Sequence, residues 1–417
     1  MKVVYAKQPF PDEWTSAVFL AGPTPRSEEV QSWRPEAIRL LEAANYDGVV
    51  MVPEVEDGEW KSGPDAYMEQ VEWERKGLDL CDVVLFWVPR DMATMPGLTT
   101  NVEAGLYASS GKCVLGAPDW AKSIRYLEHA LGAEKHTTLK ATVGATVDRI
   151  DTLRGAVKVW DKDALVPGQD GDYSRAVRTG GERAVPLHIW TLKSFQDWYR
   201  NMVAAGNRLD DAKLLWHFKM PKAKTVFSWV LWVNVWVEKE QRSKSNEYVF
   251  ARTDISTVVL WHRPYQGGHH PEFSELLDTE VVLVREFRSP ARTPDAMVHE
   301  LPGGSSLKPG KDPLQVASEE VHEETGLIVA ASRFVALGSR QLAATLSSHH
   351  SHLFAAELTK GEMAQAKALA EAETVAGVEE DSERTYTEVS TLRQMLDDKF
   401  VDWSTLGMVA QALLRGE

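Results

Sequence analysis

From the amino terminus to about residue 131, short apolar runs alternate with stretches of helical periodicity. Residues 16–21, 48–52, 83–88 and 113–115 are almost continuously apolar, the pattern of strands buried on both faces. Between and after them, residues 28–43, 64–78, 101–110 and 120–131 carry apolar side chains at helical spacing. This alternation predicts a doubly wound parallel sheet, a Rossmann-like α/β domain, over residues 1–150. Ligands of such sheets bind beyond the carboxyl ends of the strands. Here those ends carry Gly22-Pro23-Thr24-Pro25-Arg26, Pro53-Glu54 and Pro89-Arg90-Asp91, so polar groups from separate segments converge on one crevice.

The pattern then changes. Residues 161–185 are rich in Gly, Asp, Arg and Lys and read as a loop, which gives a linker over 151–190 and a second domain over 191–417. Residues 192–205 place Phe195, Trp198, Tyr199 and Met202 on a helical face suited to packing on the second domain's sheet. A long strand-like run at 226–237 precedes further strands at 257–261, 281–287 and 353–358, and an amphipathic helix closes the chain at 403–414.

Residues 300–327, ELPGGSSLKPGKDPLQVASEEVHEETGL, are the densest in signals. Two glycines turn the backbone, Asp312 and Pro313 are suited to N-cap and first helical position, and Gly326 to the stop. Leu314, Ala317 and Val321 form an apolar stripe. Glu320, Glu323 and Glu324, at i, i+3 and i+4, share the exposed face. Clustered like charges are unfavourable unless neutralised, and hard divalent cations suit such oxygens.

A chain of 417 residues has room for two cores. Its net charge of −15 argues against a nucleic-acid polymer as partner, while local arginines and a metal still allow phosphorylated metabolites. The two cysteines, Cys81 and Cys113, fall at predicted buried strands and read as core residues. No basic n-region with an apolar core opens the sequence, and the 226–237 run is too short for a membrane span and is broken by Ser228 and Asn234. A cytoplasmic protein without membrane contact is expected. His349, His350 and His352, and the His269-His270 pair, lack helical zinc spacing and read as polar loops.

The 300–327 stretch resembles the Nudix box, the loop-helix motif of hydrolases that cleave nucleoside diphosphates linked to another group. Glu320, Val321, Glu323, Glu324, Gly326 and Leu327 match the motif; Glu319 stands where the family has arginine, and Lys311 where a glutamate is expected. The resemblance implies an α/β/α Nudix fold with a mixed sheet and magnesium, or manganese, held by Glu320, Glu323 and Glu324. The exchanged Lys311 and Glu319 would keep the usual supporting ion pair with its polarity reversed. Late acidic loops in related members supply a base or metal ligand, which points to Glu380 with Glu379 and Glu383.

FLAGPTPR, LDLCDVVLFWVPR and TTNVEAG resemble the nucleoside 2-deoxyribosyltransferase-like family, whose members cleave or exchange the N-glycosidic bond of nucleosides. The resemblance places Glu103 as the nucleophile that attacks the anomeric carbon, in the first turn of a helix whose dipole favours its ionised form. Glu74 or Asp82 would protonate the departing base. Gly22, Pro23, Arg26, Arg90, Thr100 and Asn101 would line the substrate site, with Arg26 and Arg90 holding a 5′-phosphate. A further family aspartate is replaced by Gly97-Leu98-Thr99-Thr100, which favours hydrolysis or another sugar over deoxyribosyl transfer. Because transferase relatives complete their sites across subunits, a homo-oligomer is implied.

Together these readings predict a bifunctional nucleotide-metabolising enzyme: N-glycosidic cleavage through Glu103, and magnesium-dependent hydrolysis of a nucleoside diphosphate-linked substrate. The alternative is an N-glycosidase carrying a Nudix domain that has lost turnover and senses nucleotides.

Overall fold

The computed structural model describes residues 1–26, 29–56, 64–155, 177–220, 225–264, 273–305, 311–373, 375–376 and 384–415. The chain opens with β1 (Lys2–Tyr5), the short β2 (Glu13–Trp14) and β3 (Ala17–Ala21). Then follow α1 (Arg34–Ala43), β4 (Val49–Val52), α2 (Pro64–Leu80), β5 (Val83–Trp87), α3 (Leu98–Tyr107), β6 (Cys113–Gly116), α4 (Arg125–Leu131), β7 (Lys135–His136) and α5 (Leu139–Gly155). Six strands form one sheet in the order β1-β4-β3-β5-β6-β7, every pair parallel.

Both faces are covered, which is why the central strands β3, β4 and β5 are apolar at every position. Ala17, Phe19 and Ala21 face a core shared with Trp73 and Leu78 of α2, Ala104 of α3 and Leu127 of α4. On the other face α5 lies over β5 and β6 beside α1, with Val143, Val147 and Ile150 buried. Gly116 lets α5 come close, since a Cβ there would meet Thr142 Oγ1 at 1.9 Å. The winding reverses between β3 and β5, so the crevice beyond their carboxyl ends is the switch point where such sheets bind ligands.

The chain divides into two compact units, Met1–Phe250 and Ala251–Glu417, rather than near residue 190. Side chains explain the later boundary. β8 (Arg178–Thr179) pairs with β2, and α6 (Leu187–Trp190) and α7 (Lys193–Ala204) follow it. β9 (Arg208–Lys219), β10 (Val226–Val237) and β11 (Arg242–Arg252) then form a three-stranded sheet in the order β11-β10-β9. Trp229 of β10 is buried against Phe195 of α7, with its Nε1 donating to Ser194 Oγ at 3.0 Å. His217 of β9 meets His188 of α6 edge-on at 5.1 Å. α7 and the long strand at 226–237 thus belong to the first unit. Part of the expected linker is ordered too: α5 runs on to Gly155, Arg178 is completely buried, and residues 184–190 are buried throughout.

The second unit contains β12 (Ile255–His262), α8 (Phe273–Leu277), β13 (Glu280–Phe287), β14 (Met297–Glu300), β15 (Gly303–Gly304), α9 (Pro313–Thr325), β16 (Val335–Gln341), β17 (His350–Glu357), α10 (Lys360–Glu371), β18 (Val375–Ala376), β19 (Thr385–Thr391), α11 (Leu392–Asp398) and α12 (Trp403–Arg415). Its mixed sheet runs β16-β17-β12-β13-β19-β18, with β12 and β17 parallel, β14 on β13 and β15 on β12. Ala317 and Val321 of α9 and Met363 and Ala366 of α10 pack on one face. Met395 of α11 and Val409, Ala412 and Leu413 of α12 pack on the other. The result is three layers, helices–sheet–helices. No helix among the described residues is long and apolar enough to cross a membrane.

Candidate active site

Beyond the carboxyl end of β3 the backbone turns at Gly22, whose φ of +150° side chains rarely adopt. A Cβ there would lie 2.1 Å from the Trp87 carbonyl oxygen, so β3 and β5 approach this closely only with glycine. The Pro23 carbonyl accepts a hydrogen bond from Trp33 Nε1 at 3.1 Å. Gly97, in the left-handed conformation, starts α3 beside Pro23. The loop after β3 is thereby joined to the start of the helix that carries Glu103.

Glu103 is half-buried, and burial pushes its carboxyl up to about 7. Glu74 raises it further, while the Arg34 guanidinium pulls it back. Glu74, on α2, is raised as well, first by burial, against a hydrogen bond from Gln70 Nε2 at 2.7 Å and the Arg34 charge. Two carboxyls from different helices therefore share one desolvated crevice with one guanidinium. α3 begins at Leu98, so Glu103 sits in the second turn rather than the first. The expected help from the helix dipole, confined to the first turn, is replaced by the opposite influence of burial.

The structure sends three predicted residues elsewhere. Asp82 lies at the amino end of β5, opposite the crevice, and is completely buried. Its oxygens accept from the Ala17 and Leu187 backbone N–H groups at 2.8 and 2.9 Å and from Arg178. No leaving base at the strands' carboxyl ends can reach it, so it is a structural carboxylate and not a proton donor. Arg90 is buried, with Nη1 on the Ser123 carbonyl at 3.0 Å and Nη2 on Asn101 Oδ1 at 2.6 Å and the Gly97 carbonyl at 3.3 Å. Those contacts tie it to the start of α3, with Asn101 as its partner, and leave its Nε without a hydrogen-bond partner among the described residues. Arg26 is exposed, its backbone N–H on the Thr94 carbonyl. Thr100 is buried beside Gly97.

Arg34, which the sequence does not single out, completes the crevice together with Glu54, one of the strand-end groups expected there. Arg34 donates to the Leu20 and Gly22 carbonyls, to Thr24 Oγ1 and to Glu54. Ser32 Oγ is within 2.9 and 2.8 Å of the two Glu54 oxygens. One signal was legible: an arginine at a helix start opposes the macrodipole and needs another reason to be there.

Residues 15–120 match the nucleoside 2-deoxyribosyltransferase-like family. Residues 15–120 of the first unit are therefore deoxyribosyltransferase-like. The match spans β3 through β6, and with them Gly22, Arg34, Glu54, Glu74, Arg90 and Glu103. No curated protein matches the chain. The stretch with Glu320 and Glu324 lies outside the deoxyribosyltransferase-like match, so its reading rests on geometry.

That geometry is specific. Asp312 caps α9, accepting from the Leu314 N–H, and Gly326 ends it in the left-handed conformation. Glu324 accepts from the Gly303 N–H at 2.8 Å. Burial drives its carboxyl up to about 9, and Glu320, Glu300 and Glu286 add to the rise while the Gly303 bond opposes it. Gly304 leaves room for Glu320, whose Oε1 would be 2.4 Å from a Cβ at that position. Lys311 is ion-paired with Glu319, the pairing expected from the exchanged charges. Glu323 is exposed on α9. Among the described residues, no three His, Cys, Asp or Glu side chains are gathered closely enough to hold a metal ion. Oxygen donors alone suit a hard dication, and Glu320 and Glu324 supply two of them. Glu380, with Glu379 and Glu383, lies outside the described residues, as does the His269-His270 pair. His349 contacts Ser347, and His352 lies 3.7 Å from Asp254.

Proposed function

We propose that the amino-terminal domain cleaves the N-glycosidic bond of a nucleoside-type substrate, by hydrolysis or transfer, with Glu103 as nucleophile. The observation that carries this reading is the Glu74–Glu103 pair, two carboxyls raised by burial in one crevice at the switch point. Like charges so placed favour a state with one proton between them. Cleavage needs that state: a carboxylate to attack and a carboxylic acid to give a proton.

In the forward step the ionised Glu103 attacks the anomeric carbon. A glycosyl ester forms as the C–N bond breaks. The bonding pair leaves with the base, which takes its proton from Glu74. Glu74, now ionised, removes a proton from water, or from an incoming base in the transfer reaction, as the ester opens and Glu103 is regenerated. A substrate panel followed by chromatography tests this: free base should appear with wild type and not with Glu103→Gln.

The second reading concerns the carboxyl-terminal unit and is favoured by the Glu320–Glu324 juxtaposition beside Gly303-Gly304. We infer that it hydrolyses a nucleoside diphosphate-linked substrate with magnesium or manganese. Glu320 and Glu324 would hold the cation, which supplies charge neutralisation at the diphosphate. Glu324 would accept it only on giving up its proton. Magnesium-dependent release of a nucleoside monophosphate, lost in Glu324→Gln, is the result expected; nucleotide binding without turnover would leave a sensor.

A further inference from the structure

Arg34 is 1% exposed, and its guanidinium is held on three edges. Nε donates to the Leu20 carbonyl at 3.1 Å and Nη2 to the Gly22 carbonyl at 2.7 Å. Nη1 donates to Thr24 Oγ1 at 3.1 Å and to Glu54 Oε1 at 2.5 Å. Three of the four acceptors belong to β3 and the loop that leaves it. The fourth, Glu54, follows β4 and is itself fixed by Ser32. The neighbouring Trp33 ring lies 4.8 Å from the guanidinium carbon and also holds Pro23 through its Nε1. A side chain with this many fixed contacts cannot swing toward a ligand, so its charge stays in one place.

We propose that Arg34 is a positioning residue for the reaction of Glu103: it fixes the loop after β3 that walls the crevice and keeps an immobile positive charge beside the Glu74–Glu103 pair. The proposal rests on the glycosidic-cleavage reading. Two charged groups act on Glu103 directly: Glu74 from α2 and Arg34 from α1. Glu54, at the end of β4, binds Arg34, and Arg90, after β5, places its Nη groups on Ser123, Gly97 and Asn101. Burial and Glu74 hold the Glu103 proton on, and Arg34 works against both. The Arg34 cation favours the ionised nucleophile, and Glu54 tempers that cation. Removing the two partners must therefore move Glu103 in opposite directions.

The test is the pH dependence of kcat/KM for base release by the full chain, in wild type, Arg34→Met and Glu54→Gln. The acid limb reports the ionisation of the free enzyme's nucleophile. Arg34→Met should move that limb upward by roughly one pH unit, and Glu54→Gln should move it downward. A titration of carbon-13-labelled glutamate carboxyls, with Glu103 assigned from Glu103→Gln, should show the same opposite shifts without turnover. If Arg34→Met does not fold, Glu54→Gln decides alone, since it retains the arginine. Lower kcat in both variants with limbs that stay in place would overturn the proposal and leave Arg34 merely structural. A wild type that releases no base from any nucleoside would overturn the glycosidic reading, and this proposal with it.

Discussion

Arg178 and Asp82 form a completely buried ion pair at the amino end of the parallel sheet, opposite Glu103. The Asp82 oxygens also accept the Ala17 and Leu187 backbone N–H groups, so this carboxylate joins β3, β5 and the start of α6. Breaking a buried pair leaves a charge without a partner, which typically costs ~3–5 kcal/mol. Asp82→Asn should lower stability by about that amount in denaturant unfolding, while base release per folded molecule stays within about twofold of wild type. A catalytic Asp82 would give the reverse pattern.

Gly22 should tolerate no side chain. Its φ of +150° and the 2.1 Å approach of a Cβ to the Trp87 carbonyl oxygen leave β3 and β5 no way to relax without separating. Gly22→Ala should destabilise the first unit by roughly 1–3 kcal/mol and lower base release, because the Arg34 contact to the Gly22 carbonyl moves with it. Thermal unfolding and a kcat measurement on the folded fraction check both effects.

Arg90 should not select for phosphate. With its Nη groups on Ser123, Gly97 and Asn101, Arg90→Gln is expected to loosen the start of α3. Stability falls, and the ratio of kcat/KM for a nucleoside over its 5′-monophosphate stays within about threefold. A monophosphate preference that disappears in this variant would restore Arg90 as a phosphate ligand.

The parallel sheet was legible because strands buried on both faces leave continuous apolar runs, as 16–21 and 83–88 do. β9 was not: only Leu209 and Ala212 of its twelve residues are buried, so no run or clean alternation marks it. The sequence marks Glu103 and Glu74 as candidates, and the structure sets them under each other's influence, with burial rather than a helix dipole acting on Glu103. The Gly97 turn starts α3 at Leu98, and burial is a property of the fold. Arg34 escaped notice because its contacts to Leu20, Gly22 and Glu54 are distant in sequence. Asp82 looked catalytic for the same reason: its partner, Arg178, lies 96 residues away.

Glu324 should make the second unit sensitive to alkali. Its carboxyl stands at about 9 in the fold, above the ordinary 4.5. The folded state therefore holds this proton more tightly, and the stability it lends is complete below about 4.5 and fades as pH rises through about 9. Glu324→Gln should melt several degrees above wild type at pH 9 without divalent cations, at ~2–4 °C for each kcal/mol in a unit of this size. The difference should vanish near pH 4. Added magnesium should raise the wild-type midpoint and leave the variant's unchanged.

The most direct measurement is free-base release from a nucleoside panel by wild type and Glu103→Gln across pH. Wild-type kcat/KM should rise about tenfold per pH unit below about 7, as the Glu103 carboxyl ionises, and fall again at higher pH as the pair loses the proton that Glu74 must give. Glu103→Gln should lose ~10³-fold or more of the rate at every pH. Base release that persists in Glu103→Gln, or none in wild type from any nucleoside, would contradict the account.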